Sequence, residues 1–541
     1  MRHTGNKFKC DNRRKVMVLS FSFLEFGGAA LTDERRWYTP VILRHCIIEK
    51  VVGGWSYCLR MFLRRLLLGP LGLASAGMSL SILGRAVLIK GTVTNLLSDG
   101  DGLRSALDWR GAAGMKPCFF HWNIFRKDSD LSHRQPGYCE ISSCNPQCWQ
   151  KMTGADLATI IDTLIAADQR AQEGTITKTR VENMGQMLGF NANPNGLLAD
   201  PELRQILDPT ATVTYDWVHS ALQDGMLSIE TWLFVQACNP LGLTHASLVT
   251  FLSDPAWCFP KATHGKSKNL YRVFDSFRSM SSDKADKLKC NASELLSLYV
   301  LIRHYAEVHI RNHEDIRLEW SSFQAACHVI DLILITKYGM TDPQQAASAL
   351  RLAMTDHMRK HISAYGTSHV KPKHHWLFDC AAQVARDGLV LDAFIIERRH
   401  LAVKSIAENR KDTTWYERSV LSGVVLEHKK IIKGGIVSGC LTGRVRKLGG
   451  LTLSSAASYL ALHISVGDVV FHGVDAGQVI TCAQDQGGFV VVVQRFTLVE
   501  KVSAHSQKFI VSDEHDVWHL GATAQCCAWY SSGDGIIIIR M

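Results

Sequence analysis

The amino-acid sequence predicts a mixed α/β protein with a long helical middle and a small β-rich C-terminal domain. Three observations carry that reading. Two short apolar runs within residues 79–98 are rich in Val, Ile and Leu, are split by Gly84-Arg85, and read as paired strands. Across residues 152–381 apolar side chains recur at helical spacing, as at positions 157, 160, 161, 164 and 165. Beyond Lys433 the texture changes to short β-branched runs set off by Gly and Asp, such as Gly467-Asp-Val-Val-Phe-His-Gly and Gly488-Phe-Val-Val-Val-Val-Gln-Arg-Phe.

In chain order, residues 1–35 are mixed in composition and are expected to be poorly structured. Residues 37–69 alternate apolar and basic side chains at helical spacing. Residues 111–127 form a Gly-containing turn region with Cys118 and His121. Helices are expected over 156–171, 291–306, 323–337 and 342–361, the last opened by Asp342 as N-cap and Pro343 in the first turn. Residues 369–375 are a Pro- and Lys-containing break, and 389–396 is either a short strand or the start of a helix. The closing Ile run, 536–539, would be a sticky edge if unpaired.

With 541 residues the chain has length for two to four domains and for sizeable cores. A hydrophobic content of 46% with 20% charged residues is globular, not disordered. The net charge of +10 favours an anionic partner without specifying one. Sixteen scattered Cys and no evident secretory signal predict reduced thiols and an intracellular location. Residues 66–84 are uncharged, but Pro70, four Gly and three Ser read as core or loop, and no membrane contact is expected. A P-loop, a Gly-x-Ser-x-Gly elbow and a kinase signature are all missing from the sequence, which argues against those enzyme classes.

Three acids stand out. Asp99 ends the run Ala86-Val-Leu-Ile-Lys-Gly-Thr-Val-Thr-Asn-Leu-Leu-Ser-Asp99, Asp216 sits in Val213-Thr-Tyr-Asp216-Trp-Val-His219, and Glu397 ends Leu389-Val-Leu-Asp-Ala-Phe-Ile-Ile-Glu397. Acidic residues ending strands are common as turn residues and caps. Three that converge, however, can hold two Mg²⁺ ions against a phosphodiester. Asp101 is an alternative first ligand, because Asp99-Gly-Asp101 leaves the choice open. Cys118-x-x-His121 has the spacing of half a Zn²⁺ site, followed by thiols at Cys139, Cys144 and Cys148; ordinary buried thiols are the plainer reading. Residues 428–447 carry Lys429, Lys430, Lys433, Arg444, Arg446 and Lys447 with no acid, either as a phosphate-tracking stretch or as a solvated linker. Lys371 and Lys373 form a smaller basic cluster, again either DNA-facing or an exposed loop.

In their order and spacing these words resemble the En/Spm (CACTA-type) DDE transposases over roughly residues 36–421. Asp99 precedes a Gly-rich stretch and a Cys 19 residues later; Asp216 is followed three residues on by His219; and Ile396-Glu397-Arg398 resembles a late Phe-Glu-Arg word, with Lys404 and Asn409 at similar offsets. His121 stands where the family has its second Cys, and the first sixty residues match no DNA-binding N-terminus of the family.

The resemblance implies an RNase H-like core begun by residues 36–151, a mainly helical insertion over 152–381 that includes the second-Asp segment, and the end of the core over 382–432. A β-rich domain follows over 433–541. It implies Asp99, Asp216 and Glu397 as catalytic Mg²⁺ ligands for DNA cleavage and strand transfer, DNA as partner, and a nuclear location. Arg398, Lys404, Lys371, Lys373, Lys429, Lys430, Arg444 and Arg446 are the expected DNA contacts. The two departures fit a truncated or degenerate copy. The rival expectation is therefore a catalytically inactive DNA- or protein-binding descendant, and an unexpressed relic is a third.

Overall fold

The computed structural model describes residues 15–126, 137–261, 269–274, 286–337, 341–410, 414–433, 439–459, 462–484, 489–519, 524–533 and 535–540. Strand β1 (Val16–Phe21) pairs antiparallel with β2 (Tyr38–Arg44), Val16 opposite Arg44. Residues 15–35 are thus ordered, which corrects the expectation of a poorly structured N-terminus; residues 1–14 lie outside the described residues. The reason is a partner far along the chain. Val16 and Ile42 are buried against Val403, Ala407, Tyr416 and Val420, and Arg44 is ion-paired with Glu417 at 2.6 Å.

Strands β3 (Met78–Ile82) and β4 (Arg85–Ile89) form the expected hairpin, Ile82 opposite Arg85. Its two turn residues, Leu83 and Gly84, both have positive φ, +52° and +77°, as a two-residue turn that follows the strand twist requires. Residues 66–84 therefore divide between a helical turn, loops and a strand, and do not build a membrane-length helix. Among the described residues one helix, within Glu314–Lys337, is long and apolar enough to cross a membrane, and half of its apolar stretch is buried inside the protein.

Strand β5 (Leu96–Ser98) leads into Asp99. Strands β6 (Ile124–Phe125) and β7 (Cys139–Glu140) pair in parallel. Strand β8 (Val213–Tyr215) pairs in parallel with β5, Ser98 opposite Tyr215. Among the described residues these pairs are separate two-stranded sheets, joined by helices and not by a continuous ladder. The class is mixed α/β.

The middle of the chain is helical. Helices Met226–Cys238, Ala292–His309, Arg317–Lys337, Pro343–Tyr365 and Pro372–Asp387 enclose the largest core. Local chemistry starts them. Asn291 and Glu294 form a reciprocal capping box, and Asp342 accepts from the Gln344 and Gln345 amides ahead of Pro343. Packing then holds them, as where Phe234 stacks on Phe323 with ring centroids 4.5 Å apart. Each such fully buried ring contributes about 1.5–3 kcal/mol.

The C-terminal domain is β-rich and barrel-like. Strand β9 (Trp257–Cys258) is supplied by the helical region. Strands β10 (Gly439–Leu448), β11 (Leu451–Tyr459), β12 (Leu462–Ser465), β13 (Val469–His472), β14 (Asp475–Gln484), β15 (Phe489–Lys501), β16 (Ser506–Trp518), β17 (Gln525–Ser532) and β18 (Gly535–Arg540) follow. The order β14-β13-β17-β18-β16-β15 closes because β15 pairs back onto β14. The Ile run in β18 lies between β16 and β17, so its ladder is satisfied on both sides.

Strand β13 covers β17 only as far as Cys527, and β9 continues along the same edge at Trp529 and Tyr530. His304 adds contacts to Ser506 at 3.1 Å and Tyr530 at 3.2 Å. The domain is consequently sewn into the helical body and is not insulated from it.

Near the start of the chain, Asp200 is fully buried and accepts from Arg60 at 2.7 Å, Arg64 at 2.8 Å and the Leu203 amide at 3.0 Å. Burial alone would raise its pKa, but the Leu203 amide and the two guanidiniums outweigh that and lower it. A depressed carboxylate contributes stability above its unfolded pKa, about 3.9, that is lost as pH falls through the folded value. Asp200→Asn should therefore cost about 1–3 kcal/mol at pH 7 in urea denaturation, and the gap from wild type should shrink below about pH 4.

Candidate functional site

The parallel pairing of β5 and β8 sets Asp99 and Asp216 side by side, one residue beyond Ser98 and Tyr215. Asp99 is the N-cap of helix Gly100–Leu107, its Oδ1 accepting from the Gly102 amide at 2.6 Å. A Cβ at Gly102 would stand 1.9 Å from Ser98 Oγ and 2.9 Å from Asp99 Oδ1, so a larger residue would push both side chains aside. Asp101 is exposed and ion-paired with Arg104 at 3.1 Å. Of the two acids in Asp99-Gly-Asp101, Asp99 is the one beside Asp216, while Asp101 lies exposed in the first turn of the helix.

Asp216 is buried and saturated. Its Oδ1 accepts from the Val218 amide at 3.1 Å and the Ala393 amide at 3.0 Å. Its Oδ2 accepts from the His219 amide at 3.1 Å and faces His219 Nδ1 closely. The Val218–Leu222 segment is a π-helical turn, a form frequent at functional sites. The bond to Ala393 brings in the third acid. Residues 389–393 are irregular, Asp392 accepts from the Phe394 amide at 3.1 Å, and helix Phe394–Glu408 begins there with Glu397 in its first turn. Glu397 Oε1 lies 3.4 Å from His219 Nε2.

One imidazole therefore stands between Asp216 and Glu397, with Asp99 alongside. Burial depresses the His219 pKa, but the Asp216 hydrogen bond and the charges of Asp216, Asp99 and Glu397 outweigh it and raise it. Glu397 is raised by burial and by Asp216, Asp99 and Asp392, against the opposing pull of His219. Among the described residues the three carboxylates are not a group that closes to mutual ligand spacing; the His219 ring lies between two of them.

Two other clusters do close to ligand spacing. In the first, donor atoms of Cys118, His121, His375 and Asp379, all buried, lie within 4.8 Å of one another. Cys118 Sγ is 3.3 Å from His121 Nδ1, and His121 Nδ1 is 3.9 Å from Asp379 Oδ1. Both nitrogens of His375 and Asp379 Oδ2 are buried without a hydrogen-bond partner. Burial pushes the Asp379 carboxyl well up, and burial with the Lys151 charge lowers His121 to about 4. Four mixed N, S and O donors, several of them orphaned, fit a tetrahedral Zn²⁺ better than they fit an empty core.

Cys118 and His121 were legible in the sequence. Their partners were not singled out, although His375-x-x-x-Asp379 carries the signal: residues four apart share one helix face. The partners expected from sequence, Cys139, Cys144 and Cys148, are outside the cluster. The second close cluster, Glu230 with His357 and His361, was also missed, although His357-x-x-x-His361 has the same spacing.

The basic residues are dispersed. Lys373 donates to the Gln223 carbonyl at 2.8 Å and, chiefly lowered by burial, also feels the charges of Asp216 and Asp99. It therefore borders the carboxylates. Lys371 faces Asp286 at 3.3 Å. Arg398 binds Glu34 at 2.9 Å and the Thr32 carbonyl at 3.1 Å, and Lys404 approaches Glu408 at 3.9 Å. Arg398 is thus turned toward the N-terminal segment, whereas Lys404 pairs one turn along its own helix. Lys429 and Lys430 are exposed on helix Tyr416–Lys433, and Arg444 and Arg446 are exposed on β10. The described parts of that stretch are a helix end and a strand, and residues 434–438 lie outside the described residues.

Comparison with known proteins returns no matching family model, no matching curated protein and no matching solved structure.

Trp376 fastens this region together. It stacks on Tyr215 with centroids 5.1 Å apart, and its Nε1 donates to the Pro117 carbonyl at 2.8 Å. Trp376→Ala should cost about 3–5 kcal/mol in denaturant unfolding and should loosen both the Asp216 strand and the Cys118 loop, read as faster hydrogen exchange in both segments.

Proposed function

We propose that this chain is a transposase-like DDE nuclease of RNase H-like ancestry that cleaves and rejoins DNA. The observation that carries the reading is the placement of Asp99 and Asp216 at adjacent ends of parallel strands, with Glu397 reaching the same imidazole as Asp216. Carboxylates separated by more than a hundred residues each are brought to one region around His219, which turn residues and caps acting independently would not require.

In this reading Asp99, Asp216 and Glu397 would hold Mg²⁺, whose chemistry there would be to acidify an attacking water or 3′-hydroxyl and to stabilise a leaving oxygen. Asp216 positions the helix bearing Glu397 through the Ala393 amide. The His219 ring stands between Asp216 and Glu397 and fixes their separation. Lys373, held on the Gln223 carbonyl, is the phosphate contact nearest the rim. Lys429, Lys430, Arg444 and Arg446 contact phosphates. Cys118, His121, His375 and Asp379 hold a structural Zn²⁺ that ties the loop after Asp99 to helix Pro372–Asp387. The protein is then nuclear.

A specific observation favours the second reading, a DNA- or protein-binding descendant without catalysis. All four acceptor positions of the Asp216 carboxylate are already taken by Val218, Ala393 and His219, so a metal must displace one of them.

A plasmid-nicking assay with Mg²⁺ or Mn²⁺ separates the two. On the nuclease reading wild-type protein nicks, and Asp216→Asn falls to background while still binding DNA. Salt-sensitive binding by wild-type protein with no nicking supports the descendant, and neither binding nor nicking removes both.

Neutralising Lys429, Lys430, Arg444 and Arg446 should weaken DNA binding similarly for all sequences. It should also flatten the dependence of log affinity on log salt by roughly 0.9 per lost phosphate contact. An unchanged slope would assign DNA contact to other residues.

A further inference from the structure

The second close cluster lies apart from the carboxylates and from the Cys118 group and shares no residue with either. Glu230 sits on helix Met226–Cys238, and His357 and His361 lie one turn apart on helix Pro343–Tyr365. All three side chains are essentially inaccessible to solvent, at 0%, 4% and 0% exposure. His357 Nε2 and His361 Nδ1 both point at one oxygen, Glu230 Oε2, at 3.2 and 2.6 Å. His361 Nε2 is buried with no partner. Next to it the His374 ring packs 5.0 Å from that of His361. His374 Nδ1 accepts the Lys371 amide, so Nε2 carries the ring proton, and it too is buried without a partner.

We propose that Glu230, His357 and His361 form a buried site for a divalent transition-metal ion, zinc by the chemistry of its donors, which pins helix Met226–Cys238 to helix Pro343–Tyr365. Three donors from two helices converge within 4.8 Å. Tetrahedral bonds of about 2.0–2.1 Å put neighbouring donors about 3.3 Å apart, close to the 3.2 Å already present. The second spacing, 2.6 Å, has only to open. Two histidines at i and i+4 on one helix are a known zinc geometry. Imidazole and carboxylate favour zinc over the hard cations, and no thiolate is present to favour softer ones. Glu230 Oε1 is also buried with no hydrogen-bond partner, an arrangement native cores seldom carry, and a divalent cation held by the three donors would supply the carboxylate with a counter-charge. All three side chains are closed off from solvent, so the ion would be structural and closed to substrate.

The test is the zinc content per chain of untagged, full-length protein by mass spectrometry, for wild type and for His357→Gln with His361→Gln. The proposal expects the double variant to hold one equivalent less than wild type, and Glu230→Gln to bind more weakly, losing its zinc at lower chelator concentration. Equal content in wild type and the double variant overturns it, as does a wild type holding less than one equivalent. Should the double variant fail to fold by circular dichroism, zinc X-ray absorption of wild-type protein decides. An ion bound by nitrogen and oxygen alone supports the site. A single equivalent with sulfur in its shell overturns it, because Cys118 would then account for all the metal. Neither result depends on whether the protein nicks DNA.

Discussion

The Asp216 carboxylate is the constraint on which the centre of the molecule depends. It is buried, it has four acceptor positions, and each is answered: by the π-helical turn that follows it, by the His219 ring, and by an amide 177 residues further along the chain. A buried carboxylate left short of partners costs several kcal/mol. Satisfying this one fixes the geometry of three segments at once. The strand end, the turn and the start of the Glu397 helix cannot move independently without leaving a charge unpaired in the interior. That same saturation creates the tension in the functional reading, since the groups that build the acidic site also occupy it.

Helix Pro372–Asp387 works as a second organiser because its faces do different jobs. Trp376 locks onto Tyr215 and the Pro117 carbonyl, His375 and Asp379 face Cys118 and His121, His374 borders the Glu230 cluster, and Lys373 reaches toward the carboxylates. The sequence Lys371-Pro-Lys-His-His375 reads as a basic break in the chain. Folded, Pro372 opens the helix, and both histidines are buried. Four buried imidazoles, those of His121, His361, His374 and His375, lie on or beside this helix.

The barrel-like domain shows how a β unit in a helical protein manages its edges. Closure of β14 onto β15 removes most of them, and β9, borrowed from the middle of the chain, covers the part of β17 that β13 does not reach. An edge strand left open there would expose Trp529 and Tyr530 beside the Ile-rich β18, a combination prone to intermolecular pairing.

Local pattern alone determined a good deal. Helices 291–306 and 342–361 were legible from capping residues and apolar spacing, the 79–98 hairpin from its Gly-split β-branched runs, and the C-terminal strands from their Gly and Asp punctuation, because these signals act within a few residues. Asp99, Asp216, Glu397, Cys118 and His121 were legible as chemistry-bearing residues, because each sits in a short distinctive word. What required the tertiary structure was every relation between distant segments: the ordered β1–β2 hairpin under the 394–433 helices, His375 and Asp379 as partners of Cys118, Glu230 as partner of His357, Asp101 and Arg398 turned away from the site, and β9 in the barrel. Those outcomes follow from burial and from the satisfaction of polar groups across the whole chain. Spacing in sequence does not encode them, because the free energy that decides them comes from contacts between residues tens to hundreds of positions apart.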